Sequence, residues 1–276
     1  MKQLSDFHTH TSFADGKRNV SEMVESAYRM GLEHYGLSEH LYSSRMDWGC
    51  KGTELDRYMA EVADCKKKYA GKMNILCGLE VENNDGGSVL TESQKQNTDY
   101  YICSTHELEI QGHVFFVDNS AEELKSMVER FYSGDWFSLV RHYFREASSV
   151  RETLPYSFFG HFDLITKFNQ DDVLFRTDCD DFIQPALEAM ERLLSYDIPF
   201  EINTGAISRG HRQEPYPSAF LLKELCCRGG RIIINSDAHH PDNICFRYDQ
   251  ASKLAYDCGF REKWILTASG MKKEIL

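Results

Sequence analysis

The sequence predicts an α/β protein built on a parallel sheet that closes, or nearly closes, into a barrel. Three observations carry that prediction. Strand-like stretches alternate with helical ones along the whole chain, and seven of the strand-like stretches have buried character. Histidine or acidic residues recur where those strands end, at His8/His10, His40, Glu80, His106, His161 and Asp237/His239. In a barrel of parallel strands the C-terminal ends converge on one face, whereas an open sheet spreads them along a wide edge.

The elements follow in order. After the strand that leads into His8, Asn19 with Glu22 makes a capping box for a helix carrying Met23, Val24, Ala27, Tyr28 and Met30 at helical spacing, stopped by Gly31. "HYGLSEH" is the second strand and ends at His40. Residues 53–69 read as a helix, followed by the strand "NILCGLEVE" through Glu80, and "YYICSTHE" then delivers His106. Ser120 and Glu123 form a second capping box ahead of Leu124, Met127, Val128 and Phe131. A helix around 137–148 leads to Pro155 and the strand "SFFGHFDLI", which carries His161. Phe182, Ile183, Ala186, Leu187, Met190, Leu193 and Leu194 mark a long helix that feeds "PFEINTGA". Ser218 opens another helix closed by Gly229 and Gly230, "RIIINSDAHH" supplies Asp237 and His239, and a last helix ends near Gly259. No linker or low-complexity tract divides the chain, so one domain over residues 1–276 is expected, a length at which α/β barrels are single units.

Composition removes several function classes. With 42% hydrophobic and 27% charged residues the chain has an ordinary globular balance. Apolar runs such as "RIIIN" are strand-length, and "MKQLSDFHTH" lacks an apolar h-region, so neither a membrane span nor a secretory signal is expected. The nine cysteines show no paired framework, which favours the reducing cytoplasm. A net charge of −12 and the lack of a basic block make nucleic acid a poor partner. An anionic substrate stays open, because divalent cations would dominate the field at a site.

His8 and His10, two apart on an extended strand, project from the same side, and Asp15 follows after a short turn. That geometry suits a metal. Taken in order, "DFHTHTSFADG", "LSEH", "GLEVE", "STHE", "GHFDL" and "NSDAH" resemble the motifs of the polymerase and histidinol phosphatase (PHP) superfamily, matching from about Asp6 to His239. Within it, the size, "GHFDLI" and "EINTGAISRG" are most similar to histidinol-phosphate phosphatases.

The resemblance implies a distorted (β/α)7 barrel and two to three divalent transition-metal ions. His8, His10, Glu80 and Asp237 would hold the first; Asp15, His40 and His239 the second; and Glu80, His106 and His161 the third. Such imidazole and carboxylate sets suit Zn, Mn or Fe. It further implies hydrolysis of a small phosphorylated metabolite, L-histidinol phosphate of histidine biosynthesis, by a metal-bridging hydroxide, with Arg209 and Lys167 near the phosphate. The rival readings are another PHP phosphoesterase, an amidohydrolase-like C–N hydrolase, and a non-catalytic metal-binding regulatory domain.

The remaining histidines, His34, His113, His142, His211 and His240, are expected to be packed or exposed, with His240 also placed to support its neighbour. Glu82 shares the parity of Glu80 and is open between substrate contact and a solvated strand end. Asp163 is spaced as a partner for His161 or as a plain turn residue. The cysteines read as packing residues.

Overall fold

The computed structural model describes residues 4–47, 49–84, 86–150 and 154–276. Strand and helix alternate as β1 (Ser5–Asp6), α1 (Val20–Arg29), β2 (His34–Leu41), α2 (Gly52–Lys68), β3 (Asn74–Glu82), a short α3 (Glu92–Gln96) and β4 (Tyr100–Ser104). A hairpin, β5 (Glu107–Ile110) and β6 (His113–Phe116), comes next, then α4 (Ala121–Tyr132), α5 (Trp136–Ala147) and β7 (Phe158–Phe159). The chain continues through α6 (Asp180–Leu194), β8 (Phe200–Asn203), a one-turn α7 (Gly205–Ser208), α8 (Ala219–Cys227), β9 (Ile232–Asn235) and α9 (Tyr248–Asp257). It ends in a second hairpin, β10 (Glu262–Thr267) and β11 (Gly270–Ile275).

The central sheet runs β1-β2-β3-β4-β7-β8-β9-β10-β11, parallel throughout except for the β10–β11 pair. Just beyond β1 and β9 a parallel bridge joins Thr9 to Ala238, with His10 N–H donating to Ala238 O at 2.9 Å and Ala238 N–H to His8 O at 3.2 Å. The first and last of the seven expected strands therefore meet at their C-terminal ends. They do so through one bridge and not a full ladder, because β9 spends its lower part pairing with β10 through Trp264 and Ile233.

Inside the curve of the sheet the lower layer is apolar: Phe7, Leu76, Tyr100, Ile102, Phe158 and Ile233 pack together, joined by Ile265 and Leu266 of β10 and by Met271 of β11. Tyr100 needs two glycines beside it. A Cβ at Gly36 would lie 2.3 Å from its hydroxyl and one at Gly78 2.1 Å from its ring. Freed from such side chains, the hydroxyl donates to Phe7 O at 2.7 Å and Leu37 O at 3.1 Å, tying three strands together. Two residues past Gly78 along β3 comes Glu80, paired in register with His40. The interior thus changes from apolar to ionisable toward the C-terminal ends.

The outer faces bury helix stripes in two further clusters, α1 and α2 against β2 and β3, and α4, α5, α6, α8 and α9 against the rest. Each fully buried large apolar side chain in these stripes, such as Phe182 on α6, contributes about 1.5–3 kcal/mol relative to exposure. The Asn19–Glu22 capping box forms with both reciprocal bonds. At α4 only half of the expected box exists. Ser120 Oγ accepts from Glu123 N–H at 3.1 Å, but the Glu123 carboxylate turns to Asn119 Nδ2 at 3.2 Å. No helix among the described residues is long and apolar enough to cross a membrane.

Candidate metal centre

The nine residues expected as ligands, spread over 232 positions from His8 to His239, come together above the polar end of the sheet. Glu80 is their hub. Its fully buried carboxylate lies 2.8 Å from His161 Nε2, 2.9 Å from His40 Nδ1, 3.2 Å from His8 Nε2, 3.3 Å from His106 Nε2 and 3.5 Å from His10 Nε2. Asp237 Oδ1 lies 3.3 Å from His10 Nε2 and 3.8 Å from His8 Nε2. Asp15 reaches His239 Nε2 at 3.0 Å and His40 Nε2 at 3.5 Å.

The donors fall into four overlapping groups, each with its ligand atoms within 4.8 Å of one another: His10, Asp15, His40 and His239; His8, His161 and Asp237; His8, His10 and Glu80; and His40, Glu80 and His106. This partition differs from the three expected sets. His10 also joins the Asp15 group, and His161 groups with His8 and Asp237. Glu80, which faces five imidazoles, belongs to two of the four groups.

Whether these residues fit metal ions is answered by the polar atoms left without partners. His8 Nε2, both ring nitrogens of His10, His40 Nδ1 and Glu80 Oε2 are buried and, beyond the imidazole–carboxylate approaches just given, make no hydrogen bond. Burial, reinforced by the neighbouring His40 and His239, pushes the His10 imidazole down to about 3, so it is neutral and has lone-pair density to offer. Buried polar atoms of this kind are costly unless something coordinates them. The donor set of imidazole and carboxylate suits Zn, Mn or Fe. Burial opposes charge on His8 and His106 as well, yet the surrounding carboxylates hold both imidazoles well above their usual range.

Two carboxylates that the sequence reading did not assign to this work orient the imidazoles. Glu201 on β8 bonds His8 Nδ1 at 2.7 Å, accepts from His161 N–H at 3.0 Å, and is itself held by Asn203 and Asn235 amides at 2.8 and 2.9 Å. Glu82 bonds His106 Nδ1 at 3.0 Å and accepts from the His106 and Glu107 N–H groups. Glu82 is therefore neither a substrate contact nor a solvated strand end. It is buried and positions His106. Asp163 is not the partner of His161: its Oδ2 accepts from Ser218 N–H at 3.1 Å.

Arg209, on the turn after α7, donates to Asp237 Oδ2 at 2.9 Å and to Asp237 O at 3.0 Å, and lies 3.0 Å from His239 Nδ1. Gly205 makes room for this pair, since a Cβ there would lie 2.7 Å from Asp237 Oδ2. Lys167 is placed differently. Its Nζ donates to Asp118 O at 2.7 Å and Asp118 Oδ2 at 3.0 Å. Both cations line a cleft of about 450 Å³ over the cluster, together with Tyr42, Phe116, Asp118 and Asn243. His240 lies at its rim, where Nδ1 accepts from Asp242 N–H at 3.3 Å, while His142 pairs with Tyr132 and His34 with Asn74, both outside the cleft. No cysteine belongs to a ligand group among the described residues.

The PHP domain family matches residues 6–205, a range that holds every candidate ligand except Asp237 and His239. A Deinococcus radiodurans protein named "Probable histidinol-phosphatase" is 27% identical over 95% of this chain and 96% of its own. In fold, hisK of Listeria monocytogenes superposes with a TM-score of 0.78 at 23% identity, over 90% of this chain and 99% of that one. Histidinol phosphate phosphatase of Lactococcus lactis, solved with Zn, L-histidinol and phosphate, gives 0.65 at 22% identity over 97% of this chain and 98% of that one. With the match spanning well over half of its length, the chain belongs to the PHP domain family.

Proposed function

We propose that this protein is a metal-dependent phosphatase that hydrolyses L-histidinol phosphate to L-histidinol and phosphate, a step of histidine biosynthesis. The observation that carries the reading is the Glu80-centred cluster of overlapping three- and four-donor groups at the floor of a cleft that Arg209 also lines. The names of the relatives and the zinc, histidinol and phosphate held by the Lactococcus protein support it.

His8, His10, Asp15, His40, Glu80, His106, His161, Asp237 and His239, in the overlapping groups described above, would hold two to three divalent ions. When bound, such ions supply hydroxide near neutral pH and neutralise phosphoryl oxygens, which answers the slowness of phosphate-monoester hydrolysis. The protein's own part is positional. Glu201 and Glu82 fix the ring orientations of His8 and His106. Arg209, anchored through Asp237, presents its remaining N–H donors to a non-bridging phosphate oxygen. No side-chain nucleophile is required.

The test supplies Zn or Mn and compares phosphate release from histidinol phosphate, a nucleoside monophosphate and an aryl phosphate. The highest kcat/KM is expected for histidinol phosphate. Faster turnover of either other ester refutes the substrate and leaves the rival PHP phosphoesterase reading.

A further inference from the structure

The cleft has a second wall, built by the β5–β6 hairpin. Val117 N–H donates to His106 O at 2.9 Å, which pins the segment after β6 against the residue that carries one of the candidate ligands. Phe116 and Asp118 from this segment face the cleft. The Phe116 ring meets Tyr42 edge-on at 5.1 Å, and Tyr42 in turn stacks on His40 at 5.1 Å. Asp118 gives its carbonyl and Oδ2 to Lys167, while no hydrogen bond among the described residues reaches its Oδ1.

This arrangement changes the role of Lys167. Its charge is already matched by Asp118 at 3.0 Å, so the pair presents a carboxylate edge to a ligand and not a bare cation. Burial raises the Asp118 carboxyl, but Lys167 and the nearby histidines hold it below its usual value, so it stays ionised. Because the Lys167–Asp118 pair is net neutral, it gives a phosphate dianion little attraction, which is left to Arg209 and the candidate metal cluster, on the side of the cleft that carries Asp237 and His239. The alcohol half of the ester is then left on the side of His106 and Asp118.

Resting on the phosphatase reading above, we propose that Asp118 is the residue that selects the leaving group: its free oxygen accepts a hydrogen bond from a cationic amine on the alcohol half, beside the aromatic faces of Tyr42 and Phe116. Esters lacking that amine leave Asp118 Oδ1 without a donor while Oδ2 stays on Lys167. The discrimination comes from that one missing hydrogen bond.

The experiment compares wild type with Asp118→Asn, which keeps size and removes charge, both loaded with Zn or Mn. The ratio of kcat/KM for histidinol phosphate to that for an aryl phosphate should fall by about 10- to 100-fold. Inhibition by L-histidinol, which has the amine and no phosphate, should weaken in parallel, with a much smaller change in inhibition by inorganic phosphate. Lys167→Met, which spares the carboxylate, should keep the preference for histidinol phosphate. An unchanged ratio in Asp118→Asn overturns the inference, as does equal weakening of both inhibitors or loss of the preference in Lys167→Met. A wild type with no preference for histidinol phosphate defeats the substrate reading itself, an outcome distinct from a preference that Asp118→Asn retains.

Discussion

Glu201 Oε1 lies 2.7 Å from His8 Nδ1, and both residues are fully buried. Its other oxygen accepts from the His161 amide, so one carboxylate on β8 sets the ring of the first candidate ligand and the backbone of another. Because His8 Nδ1 is committed to Glu201, Nε2 is the nitrogen turned to Glu80 and Asp237. The ring orientation suited to coordination is thereby set before any ion arrives.

Glu201→Gln should therefore lower metal affinity by about 10- to 100-fold while the fold persists. Competition with a chelator measures it, alongside far-UV circular dichroism. Wild-type metal retention in the variant would show that the Asn203 and Asn235 amides suffice to hold the site.

Glu80 is the shared carboxylate, and Glu80→Gln keeps its volume while removing the charge that five imidazoles face. Elemental analysis should give two to three ions per chain for wild type and fewer for the variant, with phosphate release reduced by about 1,000-fold or more. His142→Ala, whose imidazole bonds Tyr132 away from the cleft, serves as comparator and should retain most activity. Equal behaviour of the two variants would dismantle the ligand assignment.

Arg209→Ala should lower kcat/KM for histidinol phosphate by about 10- to 1,000-fold, as expected for a lost charge-assisted phosphate contact. The structure adds a second effect: Arg209 also holds Asp237 and approaches His239, so metal retention should weaken as well. Arg209→Lys restores charge without the planar fork and should recover only part of the activity. Full activity in Arg209→Ala would remove Arg209 from the phosphate site.

The metal-free protein should lose stability as pH rises above neutrality. The folded pKa values of His8, His40 and His106 lie above the unfolded 6.5: burial works against the charge, and Glu80, Glu82, Glu201, Asp15 and Asp237 outweigh it. A raised pKa stabilises fully below 6.5, and that contribution disappears as pH climbs through the folded value. Glu80 and Asp237 behave oppositely, their folded values being held down by cations despite burial, so their contribution disappears on acidification. Tm of chelator-treated protein should fall by several degrees between pH 7 and 9, while metal-loaded protein holds steady. A flat profile for the stripped protein would contradict this.

Eight of the nine candidate ligands stand out in the sequence because His, Asp and Glu are conspicuous where buried strands end, and the parallel topology brings those ends together; the role of Asp15 and the grouping into ligand sets rest on the resemblance to the PHP motifs. Glu201 was overlooked for the opposite reason: it sits inside "PFEIN", between apolar neighbours, where the signal was an ionisable group within a strand too short to have a solvated face. Glu82 shared the parity of Glu80, but parity alone does not tell a group that touches a ligand from one that steadies it. The β5–β6 hairpin turns at Gln111 and Gly112, both with positive φ, and Gln is a weaker turn signal than Asn or Asp at the first of these positions. The β10–β11 hairpin lies past the last helix, where the strand-helix alternation stops offering guidance.

The bridge between Thr9 and Ala238 has a consequence for how the protein is born. During synthesis His8 and His10 emerge more than two hundred residues before Asp237 and His239. A nascent chain on the ribosome can thus offer only scattered donors to passing ions. The full set of candidate donors exists only after β9 and the residues that follow it have been released and docked against the first strand.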